Sequence, residues 1–161
     1  MLLPIYSVFP ELELLLSRSG TILGLDGNKM SKSRGNTIEL GMTADETAKL
    51  LKRAVTDSDR HITYDPVNRP EVSNLVNIAA MCLERAPEDV AEEIGDGGGG
   101  GLKKLATAAV NDHFAAHRAR RAELMADPGA LCDVLRAGNE RANAVAEATL
   151  AEVRQAMSMD Y

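Results

Sequence analysis

The chain has 161 residues, 45% of them hydrophobic, enough for one domain with a real core. Aromatic residues make up 3% and tryptophan is absent, while alanine and leucine are abundant, so close-packed helices are favoured over sheets. A formal net charge of −6 excludes a generic nucleic-acid binder, and any RNA contact has to come from a local patch. The charge is unevenly spread, with a net of 0 over residues 1–42, −5 over 43–95 and −1 over 96–161.

The N-terminus, Met1 to Leu16, is apolar but carries Pro4, Pro10, Glu11 and Glu13. It has no basic leader region and no run long enough to span a bilayer, so no targeting signal is read there. Ile22-Leu23-Gly24-Leu25 reads as one short buried strand ending at a glycine-rich loop. A lone strand cannot satisfy its own backbone and implies a sheet, which the rest of the chain offers little to build.

The loop itself, Gly24 to Ser33, is the chemically richest segment. Lys29, Met30, Ser31, Lys32 and Ser33 place two lysines and two serines within five residues. Lysine supplies a mobile point charge, and serine hydroxyls and backbone amides supply short hydrogen bonds. That set suits the shifting charge of a polyphosphate. The competing reading is an ordinary solvated turn rich in Lys and Ser.

From Thr43 the pattern is helical. Thr43 with Glu46 makes a capping box, and the helix is expected to run to about Thr56 with Leu50, Leu51, Ala54 and Val55 on its apolar side. Asp57-Ser58-Asp59 reads as a helix-terminating turn. It lacks the spacing of a calcium loop, and no metal site is expected. His61 has no partner nearby in sequence and reads as structural or surface. Tyr64-Asp65-Pro66 and Arg69-Pro70 keep the chain extended.

A second helix is expected over about 73–83. A short third helix opens at Pro87 with Glu88 and Asp89 behind it and ends at Gly95. The five glycines Gly97 to Gly101 read as a flexible joint. They are no Walker loop, because no Gly-Lys-Ser or Gly-Lys-Thr follows.

A long helix over about 101–126 carries the stripe Leu102, Leu105, Ala106 and Ala109. Continued along the same side, the stripe becomes His113, His117 and Arg120. Asp127-Pro128 breaks that helix and caps the last one, whose stripe includes Leu131, Leu135, Gly138, Ala142 and Val145. Cys82 and Cys132 belong to no paired motif. Each is expected as a buried reduced thiol on a helix, in keeping with a cytoplasmic protein.

Four segments carry a family resemblance. Gly24 through Ser33 resembles the second signature loop of bacterial tryptophanyl-tRNA synthetases, in the class I aminoacyl-tRNA synthetases. Ala54-Val55-Thr56-Asp57-Ser58, Ser73 through Ile78 and Gly138 through Asn143 resemble the same family in the same order. Together they cover nearly all of residues 9–161. The resemblance implies the C-terminal half of such an enzyme. The expected fold is mainly α, a helical anticodon-binding bundle over 43–161 preceded by a remnant of the Rossmann catalytic domain over 1–42. That remnant would consist of its last strand and the signature loop. Residues before Phe9 depart from the family.

By the same resemblance, Lys29 and Lys32 would be catalytic, stabilising charge on the β,γ-phosphates of ATP with Mg2+ as pyrophosphate leaves. Ser31 and Ser33, with the amides of Gly27 and Met30, would hold phosphate oxygens, and Met30 would pack the loop against the body. The basic residues Lys103, Lys104, His117, Arg118, Arg120 and Arg121 would contact the anticodon arm of tRNA(Trp). With His113 and Asp112 their stretch nets +4. The alternative is a solvated helix face, or pairing with the acidic segment 88–93.

The family's first signature, of His-x-Gly-His type, is absent, since His61, His113 and His117 do not fit it. The expected function is therefore that of one part of a tryptophan–tRNA ligase, inactive without a half that brings ATP and tryptophan. A non-catalytic paralogue acting as a tRNA-binding or regulatory module is the alternative. A third reading is an interaction protein that keeps only the bundle. Exposed apolar residues in 1–28 would then favour a homodimer, or association with a full-length or N-terminal synthetase chain.

Overall fold

The computed structural model describes residues 8, 9, 11–15 and 21–159. Among these residues six α-helices follow in order: α1 (Ala44–Arg53), α2 (Pro70–Leu83), α3 (Pro87–Ile94), α4 (Gly98–His113), α5 (Ala115–Ala126) and α6 (Pro128–Ala156). The chain divides into two compact units, one of residues 17–120 and one of 1–16 with 121–161.

The first unit contains the loop, α1 to α4 and the start of α5. Its centre is the packing of α2 on α4, with α1 against α4 and α3 against both. Leu51, Leu75, Val76, Val90, Leu102 and Val110 are fully buried there. Ala79, Ala80, Ala106 and Ala109 line the same contact, and their small side chains let the helix backbones approach. The expected capping box opens α1. The Glu46 amide donates to Thr43 Oγ1 at 3.2 Å, and the Thr43 amide donates back to the Glu46 carboxylate at 2.8 Å.

Several of the expected elements are corrected. First, Ile22 to Leu25 forms no strand, and the β structure among the described residues is a single antiparallel bridge from Leu23 to Lys29. A side chain does a neighbouring strand's work. The Leu23 amide donates to Asn74 Oδ1 at 2.9 Å, and Asn74 Nδ2 donates to the Leu23 carbonyl at 3.0 Å. Asn74 sits on α2, and its carboxamide offers the donor and acceptor that a strand edge would offer.

Second, α2 begins at Pro70 rather than at about Ser73, with that proline at the first helical turn, where a missing N–H costs nothing. Third, the glycine run is not a joint. Gly98 to Gly101 form the first turn of α4, and Gly98 donates to the Arg60 carbonyl at 2.9 Å. A Cβ on Gly99 would stand 2.7 Å from Thr56 Oγ1, so glycine at this position permits a close approach. Burial of Leu102, Ala106 and Val110 downstream outweighs the poor helix propensity of that turn. Fourth, the helix expected over 101–126 divides at Phe114, whose φ of −92° and ψ of 4° interrupt the regular helix.

Cys82 is half-buried and Cys132 is exposed, rather than both being buried. His61 does have a partner, remote in sequence: its Nδ1 lies 2.8 Å from Asp96 Oδ1. The second unit is chiefly the end of α5 and the 29-residue α6, capped as expected by Asp127, which accepts from the Ala130 amide at 3.1 Å. No described helix is long and apolar enough to cross a membrane.

Candidate functional site

The signature loop leaves the Leu23 position through a tight turn. Gly24 N–H donates to the Asn28 carbonyl at 2.8 Å, Gly27 N–H to the Gly24 carbonyl at 3.0 Å, and Asn28 N–H to Asp26 Oδ1 at 3.1 Å. The Gly27 amide, expected to face phosphate, is thus occupied by the turn. The loop then passes through a 3-10 turn at Lys32–Arg34 and returns to Asn36.

Asn36 is buried and bonds the loop from inside. The Ser31 amide donates to its Oδ1 at 2.8 Å. Its Nδ2 donates to Asp26 Oδ1 at 2.7 Å and to the Lys29 carbonyl at 3.2 Å. Its own carbonyl accepts from Leu25 N–H at 3.0 Å. The Leu25 carbonyl in turn accepts from Val55 N–H at 2.9 Å, tying the loop to the segment after α1. The Asn36 carboxamide, then the Asn28 amide, hold the Asp26 carboxyl below its ordinary value.

The five signature residues are brought together by this frame. Lys29, Lys32 and Ser33 are exposed and Ser31 is half-buried. Among the described residues neither lysine ammonium has a carboxylate partner. Ser31 Oγ and Ser33 Oγ lie 2.8 Å apart and share one hydrogen bond. Met30 lines a cavity of about 160 Å³ together with Leu25, Ile38, Ile78 and Phe114. The arrangement offers two unneutralised cations and two hydroxyls on a backbone held by Asn36, a combination that can receive a polyanion. Among the described residues no group of three or more His, Cys, Asp and Glu could hold a metal ion.

Comparison with known proteins matches the chain to a family. The family described as tRNA synthetases class I (W and Y) matches residues 5–115. The chain belongs to this family. A tryptophan–tRNA ligase of Thermosynechococcus vestitus is 40% identical over 135 residues, 81% of this chain and 41% of that protein. Tryptophan–tRNA ligase 1 of Streptomyces coelicolor is 39% identical over 115 residues, 71% of this chain and 34% of that protein. Among solved structures, a tryptophanyl-tRNA synthetase of Campylobacter jejuni complexed with ADP and tryptophan superposes with a TM-score of 0.63 at 27% identity. It covers 85% of this chain and 43% of that one. The chain thus spans less than half the length of these relatives.

In this class I synthetase chain the basic residues lie on two helices and differ in exposure and partners. Lys103 and Lys104 lie on α4, half-buried and exposed in turn, while His117, Arg120 and Arg121 are exposed on α5. His117 meets Phe114 edge-on at 6.1 Å, and His113 meets it edge-on at 5.0 Å. Arg118 is committed to the fold. Its Nε donates to the Met42 carbonyl at 3.0 Å, Nη2 to Thr47 Oγ1 at 3.0 Å and Nη1 to the Asn111 carbonyl at 3.3 Å. A guanidinium so occupied has little left for an RNA phosphate. Within the acidic segment 88–93, Glu93 pairs with Arg85 rather than with this stretch.

The segment after α1 is also built by one arginine. Arg69 grips Asp57 with Nε and Nη2, both at 2.7 Å, and donates through Nη1 to the His61 carbonyl at 2.8 Å. Asp57 is therefore a structural anchor. Reading the sequence missed Asn36, Asp26, Asn74 and Arg69. Asn36 alone carried a local signal, a short polar residue just after Arg34-Gly35 where the loop must turn back.

Proposed function

We propose that these residues are the C-terminal part of a tryptophan–tRNA ligase, carrying the ATP-phosphate loop and the helices that approach tRNA(Trp). Residues 1–42 are the catalytic-domain remnant and 43–161 the tRNA side, acting in the cytoplasm. The observation that carries the reading is the loop. Lys29 and Lys32 project without a carboxylate partner among the described residues, from a backbone fixed by Asn36. The family match and the tryptophan-specific relatives support the same substrate class.

When tryptophan carboxylate attacks the ATP α-phosphate, negative charge grows on the departing pyrophosphate. Lys29 and Lys32 meet that charge, and the Ser31 and Ser33 hydroxyls orient the phosphate oxygens. Bound with the nucleotide, Mg2+ would offset part of its charge, leaving the rest to Lys29 and Lys32. Lys104, Arg120 and Arg121 supply phosphate contacts to the tRNA arm, with Lys103 and His117 beside them, and Arg118 holds α5 to the start of α1.

These 161 residues hold no His-x-Gly-His sequence, so tryptophan activation requires further residues, in the same chain or a partner. Two measurements test the proposal. The purified chain is expected to show no tryptophan-dependent ATP–pyrophosphate exchange and to shift transcribed tRNA(Trp) in a gel. Exchange by the chain alone would contradict the division of labour. Equal shifts of tRNA(Trp) and unrelated tRNA would contradict the tRNA assignment.

A further inference from the structure

Asn36 is the buried polar side chain that the charge-bearing residues do not explain, and its bonds bracket Met30. Its Oδ1 takes the Ser31 amide and its Nδ2 reaches the Lys29 carbonyl, at 2.8 and 3.2 Å. These two bonds fix the peptide planes on both sides of Met30, and hence the directions in which Lys29 and the turn carrying Lys32 leave the backbone. The remaining donor goes to Asp26 Oδ1 at 2.7 Å, whose other contacts hold the turn at Asn28. One carboxamide thereby joins the start, middle and end of the loop.

Gly24 leaves room for it. A Cβ at that position would stand 2.2 Å from Asn36 Nδ2 and 2.4 Å from its Cγ, so the carboxamide lies where any other residue at position 24 would intrude. The charged groups around it are Asp26, in direct contact, and Glu39 and Arg118, which line the same cavity.

We propose that Asn36 is the positioning residue of the signature loop, and that Gly24 is its partner, kept small so that the Asn36 carboxamide can hold Lys29 and Lys32 aimed at one polyphosphate. The inference rests on the phosphate-binding reading for its purpose. Asn36 touches no phosphate itself. It acts by sparing the loop the ordering that a polyanion would otherwise have to impose.

The test uses the 161-residue chain and two readouts: amide hydrogen exchange at Ser31, and binding of inorganic tripolyphosphate by calorimetry. Asn36→Ala removes the bond to the Ser31 amide, and its exchange should rise about tenfold or more. Gly24→Ala, which leaves Asn36 in place but displaces its carboxamide, should raise the same amide's exchange by a similar factor.

Asn36→Asp provides a variant whose effect can be reversed. It replaces the donor facing Asp26 with a second carboxylate, so Ser31 should lose protection at neutral pH. Protection should return on acidification, when one proton is shared by the two carboxyls. Adding Asp26→Asn to it should restore part of the protection at neutral pH. In each loosened variant tripolyphosphate binding should weaken about tenfold.

Ser31 exchange within twofold of the parent in both Asn36→Ala and Gly24→Ala would overturn the inference, as would an Asn36→Asp variant with no pH-dependent recovery. If exchange responds as expected but the parent chain binds no tripolyphosphate, the phosphate-binding reading fails while the clamp stands. If Asn36→Ala does not fold, Gly24→Ala and the acid recovery of Asn36→Asp decide the matter.

Discussion

Asn74 should be worth more to this chain than its place on a helix suggests. Its carboxamide donates to the Leu23 carbonyl and accepts from the Leu23 amide, at 3.0 and 2.9 Å, across 51 residues of sequence. Asn74→Ala leaves both Leu23 groups without a protein partner. A fully buried orphan costs about 1–3 kcal/mol, but Leu23 is half-buried and water can reach part of the site, so about 1 kcal/mol for each group is the fitting figure. Asn74 itself is buried, and the lost packing brings the expected cost to about 2–3 kcal/mol.

Urea unfolding of the 161-residue chain measures this, with exchange at the Leu23 amide as a local readout. Asn74→Asp should be at least as costly, because it keeps the acceptor but turns a carboxylate towards the Leu23 carbonyl. Asn77→Ala, which loses one bond to Tyr64 Oη at 3.2 Å, should cost under about 1 kcal/mol. A stability for Asn74→Ala within about 0.5 kcal/mol of the parent, with Leu23 exchange unchanged, would refute the idea that a side chain substitutes for the missing strand.

Other outcomes follow from neighbouring geometry. Gly99→Ala should destabilise the chain by about 1–3 kcal/mol through its clash with Thr56, whereas Gly100→Ala, facing open space in the same helical turn, should stabilise it by about 0.4–1 kcal/mol in thermal unfolding. Arg118→Ala should cost about 2 kcal/mol of stability, and Arg118→Lys should not recover it, because a lysine cannot reach the Met42, Thr47 and Asn111 oxygens together. Asp57 and Asp26 both have their carboxyls held low, Asp57 by hydrogen bonding to Arg69 and Asp26 by Asn36. Their stabilisation is fully present above the ordinary carboxylate value of 3.8 and is lost as pH falls below it through the lowered folded values. In acid titrations followed by circular dichroism, Asp57→Asn should therefore be less stable than the parent near neutrality and lose less on acidification.

Much of this fold was legible because its signals are local. The capping box at Thr43, the proline opening α3 and the Asp127-Pro128 boundary each act within one helical turn, and each is where the sequence placed it. The Lys29 to Ser33 loop was legible as a family mark for a different reason, since five residues in a fixed order carry the resemblance that the family match bears out. What escaped was non-local. The glycine run reads as a joint until Thr56 is seen packed against Gly99, and no spacing rule brings those residues together. Ile22 to Leu25 has the composition of a strand, but its partner is one carboxamide on α2. Arg118 belongs to a basic stretch by sequence. Its bonds to Met42 and Thr47, more than 70 residues away in sequence, hold its guanidinium against the start of α1. Asn36 shows the same limit at short range, because an asparagine facing inward and one facing water look alike until the loop closes around it.

The most direct test of the phosphate assignment is ATP–pyrophosphate exchange in a chimera. In it these residues replace the aligned segment of the Streptomyces coelicolor relative. The chimera should catalyse tryptophan-dependent exchange, and Lys29→Ala or Lys32→Ala should lower its rate about a hundredfold or more with tryptophan binding intact. A folded, tryptophan-binding chimera whose exchange is indifferent to both lysines would contradict the account.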